Sequence, residues 1–147
     1  MPEESPTSQA AHDHLRAAMA LHAKGDIDNA IAEARKALEA EPDFADALSY
    51  LGSTLITRKG QYTEGLAEME KALEAAPDNP TLQYTGGWCN EFVAYRVSRR
   101  PQPGLDPTEL YARAEHQLRR CLELMPDAKI RDDAKDLLSS IIKEDVD

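Results

Sequence analysis

The chain has 147 residues, of which 41% are hydrophobic and 30% charged, so it is long enough for one folded domain and too apolar to be disordered throughout. Its 17 basic residues against 27 acidic residues give a net charge of −10, which disfavours nucleic acids and anionic membranes as partners. No leader sequence and no apolar run of membrane-spanning length is visible, so we expect a cytoplasmic protein.

The first predicted helical pair covers about residues 11–44. Small and apolar residues three or four apart form a stripe on its second helix, which ends in KALEAEPD at residues 36–43. A partner helix precedes it over about 8–24, and Gly25 occupies the turn, where a left-handed helix terminator is needed. Residues 1–7 lack periodicity and are expected to form a tail.

The second predicted pair, about residues 45–79, repeats this pattern. Its ending, KALEAAPD at residues 71–78, differs from the first ending at one position and lies 35 residues after it. Its first helix is expected over about 44–59, followed by Gly60 in the turn. The common spacing predicts two copies of one helical hairpin.

The third predicted pair, about residues 80–126, carries an insertion near 99–106. The inserted segment contains two prolines, and the chain then restarts a helix with Asp106 as N-cap and Pro107 in the first helical position. The pair closes with a weaker copy of the ending, RCLELMPD at residues 120–127. We therefore expect a third hairpin with a long connecting loop.

A last helix is predicted over about residues 128–143. One side of it is apolar and the other strongly charged, which suits the cap that an open-ended helical array requires. Residues 144–147 are expected to form a second tail. The prediction is thus one all-α domain over residues 8–143.

The three hairpins resemble the tetratricopeptide repeat family, whose signature runs W-x2-L-G-x2-Y, then A-x3-F, then P over about 34 residues. The matching residues are His14, Ala17, Ala18, Leu21, Ala30, Ala34 and Pro42 in the first unit, Leu48, Leu51, Gly52, Leu55, Gly65, Met69 and Pro77 in the second, and Gln83, Gly86, Gly87, Asn90, Ala114, Leu118 and Pro126 in the third. The resemblance implies a right-handed superhelix of three hairpins and a capping helix, about seven helices in all.

The resemblance also implies a peptide-binding concave surface formed by the first helix of each hairpin. The corresponding residues here are Leu15, Met19, His22, Ser49, Tyr50, Ser53, Ile56, Tyr84, Trp88, Glu91 and Tyr95. Aromatic side chains at such positions suit an apolar side chain of a bound peptide or helix. The alternative for Tyr84, Trp88 and Phe92 is packing inside the third hairpin.

One ligand site known in this family is a carboxylate clamp for chaperone C-termini, made by Lys and Asn, then Asn, then Lys and Arg. The positions that match it here hold Leu15, Met19, Tyr50, Thr81 and Thr85. Because none of these side chains is a cation or an asparagine, binding through that clamp is not expected.

Charge is distributed unevenly along the chain. Residues 1–79 carry seven basic and fifteen acidic residues, whereas residues 80–126 carry six arginines and five acids. Arg96, Arg99 and Arg100 cluster where the first helix of the third hairpin ends. They are candidates for contact with an acidic partner, the alternative being a solvated helix end whose cations complement the helix dipole.

No catalytic or cofactor-binding pattern is present. The sequence contains no nucleophile elbow, phosphate-binding glycine loop or dinucleotide fingerprint. His12 and His14 fall on different helix faces, which argues against a metal site, and Cys89 and Cys121 are expected to be buried free thiols. We therefore expect no enzyme activity, cofactor or metal.

The most economical hypothesis is a protein-interaction adaptor that binds a peptide or helix of another protein. Two alternatives stay open at this stage. One is a structural scaffold that assembles with copies of itself, and the other is a small chaperone for a secreted protein.

Overall fold

The computed structural model of the protein describes residues 6–143 and Val146. Within that part of the chain the fold is all-α with seven helices, as predicted. They are α1 (Pro6–Ala23), α2 (Ile27–Ala40), α3 (Ala45–Lys59), α4 (Tyr62–Ala75), α5 (Pro80–Arg99), α6 (Pro107–Glu123) and α7 (Ala128–Ile142). None of these helices has the length and apolar character needed to cross a membrane.

The helices form two compact units that divide between Ala75 and Ala76. The first unit holds α1–α4 and the second holds α5–α7. Of the predicted tails, residues 1–5, 144, 145 and 147 lie outside the described residues, whereas residues 6 and 7 belong to α1.

The first unit consists of two helical hairpins, α1 with α2 and α3 with α4. Both hairpin turns contain a glycine with positive φ, +83° at Gly25 and +65° at Gly60. A side chain would strain the backbone in that region, so glycine ends each first helix as predicted. Asp26 then starts α2 as its N-cap by accepting a hydrogen bond from the Asn29 amide.

Close helix contact in the first unit depends on small residues. The buried stripe of α2 is mostly alanine. In the second hairpin, a Cβ atom built on Gly52 would lie 2.7 Å from the carbonyl oxygen of Gly65 and 3.0 Å from the amide nitrogen of Met69. The backbones of α3 and α4 therefore meet at a point where only glycine fits.

The second unit contains the longer hairpin, α5 with α6, and the capping helix α7. The connection between α5 and α6 occupies residues 100–106, close to the predicted insertion. As predicted, Asp106 is the N-cap of α6, where its Oδ1 accepts a 3.0 Å hydrogen bond from the Thr108 amide. The core of α6 and α7 is fully buried and consists of Leu118, Cys121, Ala134 and Leu138.

Polar side chains occupy buried positions of α5 where the repeat signature has large apolar residues. Gln83 is 8% exposed and donates a 2.9 Å hydrogen bond to the carbonyl oxygen of Pro77. Asn90 is 4% exposed, and its amide nitrogen donates to Gln117 Oε1 on α6 at 2.8 Å. The hydrogen bonds that these two side-chain amide nitrogens donate offset part of the cost of burying them. The Asn90 bond also links α5 to α6.

Candidate protein-binding surfaces

A mixed apolar and polar surface lies on α1 and α3 of the first unit. We call it the α1–α3 surface, and its residues are Leu15, Met19, His22, Tyr50 and Ser53. Met19 is the large apolar side chain that it presents most openly, with 54% of its area exposed. The other four side chains are half-buried. The surface therefore consists of one exposed apolar side chain and four side chains that are already partly packed within the fold.

His22 and Tyr50 form a fixed pair across α1 and α3. Their Nδ1 and hydroxyl oxygen atoms are hydrogen-bonded at 2.9 Å, and the two rings meet edge to face with centroids 5.6 Å apart. The Tyr50 ring packs against the buried cluster that contains Ala18, Leu51 and Leu55. Burial raises the pKa of the Tyr50 phenol, so the hydroxyl stays protonated at neutral pH. The pair is positioned before any ligand arrives.

The remaining predicted residues of the first unit differ in accessibility. Leu15 packs partly against the buried cluster of Ala11, Ala37, Phe44 and Ala47. The Ser53 hydroxyl donates to the Tyr50 carbonyl oxygen at 3.2 Å and is half-buried. Ser49 is only 9% exposed and Ile56 is buried, so neither offers a partner much surface.

The other histidines of α1 also contact neighbouring elements. The His12 ring lies 4.6 Å from the Phe44 ring, and His14 Nδ1 lies 2.7 Å from Glu33 Oε2 on α2. The hydrogen bond from His14 lowers the pKa of the Glu33 carboxyl. Among residues 6–143 and Val146, no three His, Cys, Asp or Glu side chains are grouped as metal ligands would be.

The predicted contact residues of the second unit follow one face of α5. Tyr84, Trp88, Glu91 and Tyr95 are spaced four, three and four residues apart, so they form a stripe, which we call the α5 stripe. Tyr84 packs against the buried core of α6 and α7 and is half-buried. Trp88 and Glu91 are also half-buried, while Tyr95 is 48% exposed. The accessible part of the stripe therefore lies toward the end of α5.

Tyr111 of α6 adjoins the α5 stripe, although it is not among the residues predicted to contact a partner. Burial raises the pKa of its phenol, and the nearby Glu91 carboxylate raises it further, which places Tyr111 close to Glu91 of the stripe. The predicted pairing of α5 with α6 in one hairpin was the signal that could have identified Tyr111. In a helical hairpin the beginning of the second helix lies beside the end of the first, so Tyr111 faces the last turns of α5.

The environment of the Glu91 carboxyl can be tested through the pH dependence of the protein's stability. Burial raises the pKa of its carboxyl, so folding favours the protonated form. The contribution to stability is complete below the unfolded-state pKa and is lost as pH rises through the folded-state pKa. We therefore expect Glu91→Gln to raise the thermal unfolding midpoint at neutral pH, and the increase to shrink as the pH falls below about 4.

The matched control is Glu70→Gln, which removes one charge from an exposed position of α4. It measures the general benefit of lowering the net negative charge. Thermal unfolding followed by circular dichroism across a pH series compares the two variants. Equal midpoints for the two variants at neutral pH would contradict a partly desolvated carboxylate at Glu91.

The three arginines near the end of α5 differ in their surroundings. The Arg96 guanidinium lies 4.8 Å from the centroid of the Phe92 ring, and that of Arg99 lies 5.2 Å from the centroid of the Tyr95 ring. Arg99 Nε also donates a 3.0 Å hydrogen bond to the Tyr95 hydroxyl. Arg100 is the C-cap residue of α5, and all three arginines are exposed.

Both cysteines are buried free thiols, as predicted. Burial raises the pKa of Cys89 to about 12 and also raises the pKa of Cys121. A thiol that stays protonated at neutral pH is a poor nucleophile, so these residues serve packing.

Part of the chain matches a known family of repeats. A tetratricopeptide repeat family model matches residues 15–80. Among curated proteins, no sequence matches this chain significantly.

Several solved structures share the fold, and three of them illustrate it. The first tetratricopeptide repeat domain of Spaghetti (RPAP3), bound to the HSP90 peptide SRMEEVD, has a TM-score of 0.73 at 17% identity over 92% of this chain and 93% of that one. The Yersinia enterocolitica type III secretion chaperone SycD, in complex with a peptide of the translocator YopD, has a TM-score of 0.70 at 14% identity over 92% and 95%. The N-terminal domain of stress-induced protein-1 from C. elegans has a TM-score of 0.60 at 15% identity over 91% and 98%.

Proposed function

We propose that this chain, whose residues 15–80 match a tetratricopeptide repeat family model, binds a segment of another protein through its α1–α3 surface. Proteins of this family are generally interaction modules and not enzymes. The observations that carry the proposal are the exposed Met19 side chain and, three residues later on α1, the fixed His22–Tyr50 pair. We infer that the partner is a short peptide or one face of a helix, the two kinds of segment that commonly dock on apolar helical surfaces.

The proposed mechanism is burial of apolar surface on a largely preformed site. A partner side chain that covers Met19 removes apolar area from water, and the flexible thioether adapts to its shape. Because His22 and Tyr50 already hold each other, little side-chain freedom is lost when the partner binds them. Tyrosine is enriched among residues that dominate binding energy, so Tyr50 is the second expected anchor.

The comparisons support peptide binding as the general role. Two of the three similar structures contain a bound peptide, from HSP90 in one and from YopD in the other. In this chain Leu15, Met19 and Tyr50 stand where the family's carboxylate clamp has polar side chains. We therefore favour an apolar segment over a C-terminal carboxylate as the ligand. A chaperone for a secreted protein is one form of the same role.

We propose a contact role for the α5 stripe of the second unit as well. Trp88 and Tyr95 offer aromatic surface, and Glu91 supplies a carboxylate that a donor on the partner could satisfy. Trp88 is the only tryptophan of the chain, so a change in its emission on binding reports contact with this stripe directly.

Site-specific crosslinking tests the α1–α3 surface. A photoreactive amino acid at position 19 is expected to form a covalent adduct with the partner protein in source lysate, because Met19 lies in the proposed contact. Mass spectrometry of the adduct identifies the partner and the segment attached. Position 125 is the matched control, since it is also a methionine and is even more exposed, at 87%.

Two outcomes would contradict the proposal. Equal adducts from positions 19 and 125 would indicate nonspecific collision. Adducts only between copies of this chain would instead support a self-assembling scaffold, and light scattering over a concentration series would then show a complex larger than the monomer.

A further inference from the structure

The end of α5 carries a concentration of positive charge that this acidic chain leaves unneutralised. Arg96, Arg99 and Arg100 lie within one turn and a half of helix, and residues 92–105 contain no acidic residue. In the described part of the chain, none of the three forms an ion pair with a carboxylate. The arginines of α6 differ in this respect, because each is paired with a carboxylate: Arg113, Arg119 and Arg120.

Two of these cations are held in place by aromatic rings. Phe92 supports Arg96 and Tyr95 supports Arg99, each from one helical turn earlier, with guanidinium-to-centroid distances of 4.8 and 5.2 Å. The Tyr95 hydroxyl additionally accepts a hydrogen bond from Arg99 Nε. All three arginines are exposed, so their guanidinium donors can be reached by a carboxylate from a partner.

We propose that this arginine cluster binds an acidic segment of a partner protein, with carboxylates of Asp or Glu pairing with Arg96, Arg99 and Arg100. The charge of the cluster is the reverse of the chain's net charge of −10, so it selects an acidic segment against the average field of the molecule. The cations lie along the outside of a helix and are supported by separate rings. That linear arrangement suits several spaced carboxylates better than one phosphate, which needs donors converging on a single point.

This inference goes beyond the proposed function, because it concerns three arginines that belong neither to the α1–α3 surface nor to the α5 stripe, and it does not need the α1–α3 surface to bind anything. The two proposals can therefore fail separately. Loss of binding at the arginine cluster leaves the crosslinks from position 19 unchanged, and the reverse also holds.

The test uses fluorescence anisotropy with three labelled peptides: alternating glutamate and serine, alternating glutamine and serine, and the glutamine peptide with phosphoserine. The wild-type chain is expected to bind the glutamate peptide, with an affinity that falls as salt rises, and not the glutamine peptide. Replacing the three arginines together, Arg96→Gln, Arg99→Gln and Arg100→Gln, should weaken binding by at least about tenfold.

The matched control is a triple variant of the same unit, Arg119→Gln, Lys129→Gln and Arg131→Gln. It changes the net charge equally, and its members form exposed ion pairs that contribute little to stability. We expect this variant to keep the wild-type affinity within about twofold. A second variant, Arg96→Lys, Arg99→Lys and Arg100→Lys, keeps the positive charge but loses the planar guanidinium that binds a carboxylate through two hydrogen bonds. Its affinity should therefore fall between those of the wild type and the arginine-to-glutamine variant.

Three results would overturn the proposal. These are equal weakening in the two glutamine triple variants, binding of the phosphoserine peptide alone, and a concentration-dependent oligomer of the wild type that disappears in the arginine variant. The last result would assign the cluster to contact between copies of this chain.

Discussion

Gly52→Ala is expected to lower the free energy of unfolding by about 1–3 kcal/mol, the range for adding a methyl group to a filled interior. The new Cβ would lie 2.7 Å from the Gly65 carbonyl oxygen and 3.0 Å from the Met69 amide nitrogen. Both atoms belong to the backbone of α4, so α3 and α4 must move apart to accept it. The loss should exceed the gain of about 1 kcal/mol that alanine gives over glycine inside a helix.

Denaturant unfolding followed by circular dichroism measures this change. Thr57→Ala on the exposed side of α3 is the control for substitution in the same helix, and should lie within about 0.5 kcal/mol of wild type. Gly87→Ala is the structural comparison, because its new Cβ would meet the Leu118 side chain at 2.7 Å. A side chain can shift where a backbone cannot, so we expect a smaller loss there. A Gly52→Ala variant as stable as wild type would contradict backbone contact between α3 and α4.

The glycine contact also connects the fold to the proposed binding surface. Gly52 lies two residues after Tyr50 on α3, so the approach of α3 to α4 helps to fix the position of the Tyr50 ring. A shift of α3 that relieved the Gly52→Ala contact would move Tyr50 relative to His22. Binding through the α1–α3 surface should therefore be sensitive to this substitution, although Gly52 is not part of the surface.

Helix number and helix ends could be predicted from the sequence because their signals are local. Proline in each repeated ending, glycine in the turns at Gly25 and Gly60, and the Asp106-Pro107 start of α6 act on the backbone within a few residues. Each of these signals can therefore be recognised from the neighbouring residues in the sequence alone. For the same reason the insertion between α5 and α6 could be placed near residues 99–106.

Side-chain contacts between helices were less predictable because they depend on how each helix is rotated. Position in the repeat does not indicate that Asn90 bonds Gln117, that His22 bonds Tyr50, or that Ser49 is buried. Small changes of rotation exchange half-buried and buried positions on a helix. The same limit explains why Tyr111 was missed, since its role follows only from the pairing of α5 with α6.

The two candidate surfaces differ in the chemistry that they offer a partner. The α1–α3 surface has an exposed thioether and a hydrogen-bonded histidine–tyrosine pair, which suit an apolar segment. The arginine cluster has three cations without carboxylate partners in the described part of the chain, which suit an acidic one. The separate tests show which of the two surfaces a partner contacts.

The affinity of Met19→Asp for the partner identified by crosslinking tests the binding proposal most directly. Aspartate at this position would place an unpaired charge in an apolar contact, and its desolvation opposes binding. We expect the dissociation constant to rise at least about 30-fold, which corresponds to about 2 kcal/mol. Isothermal titration calorimetry with purified proteins gives the value for wild type and variant.

Met125→Asp is the control, because it makes the same chemical change at an exposed methionine outside the proposed contact. We expect it to bind the partner with the wild-type dissociation constant. If Met19→Asp also keeps the wild-type dissociation constant while the partner still binds, the α1–α3 surface is not the binding site.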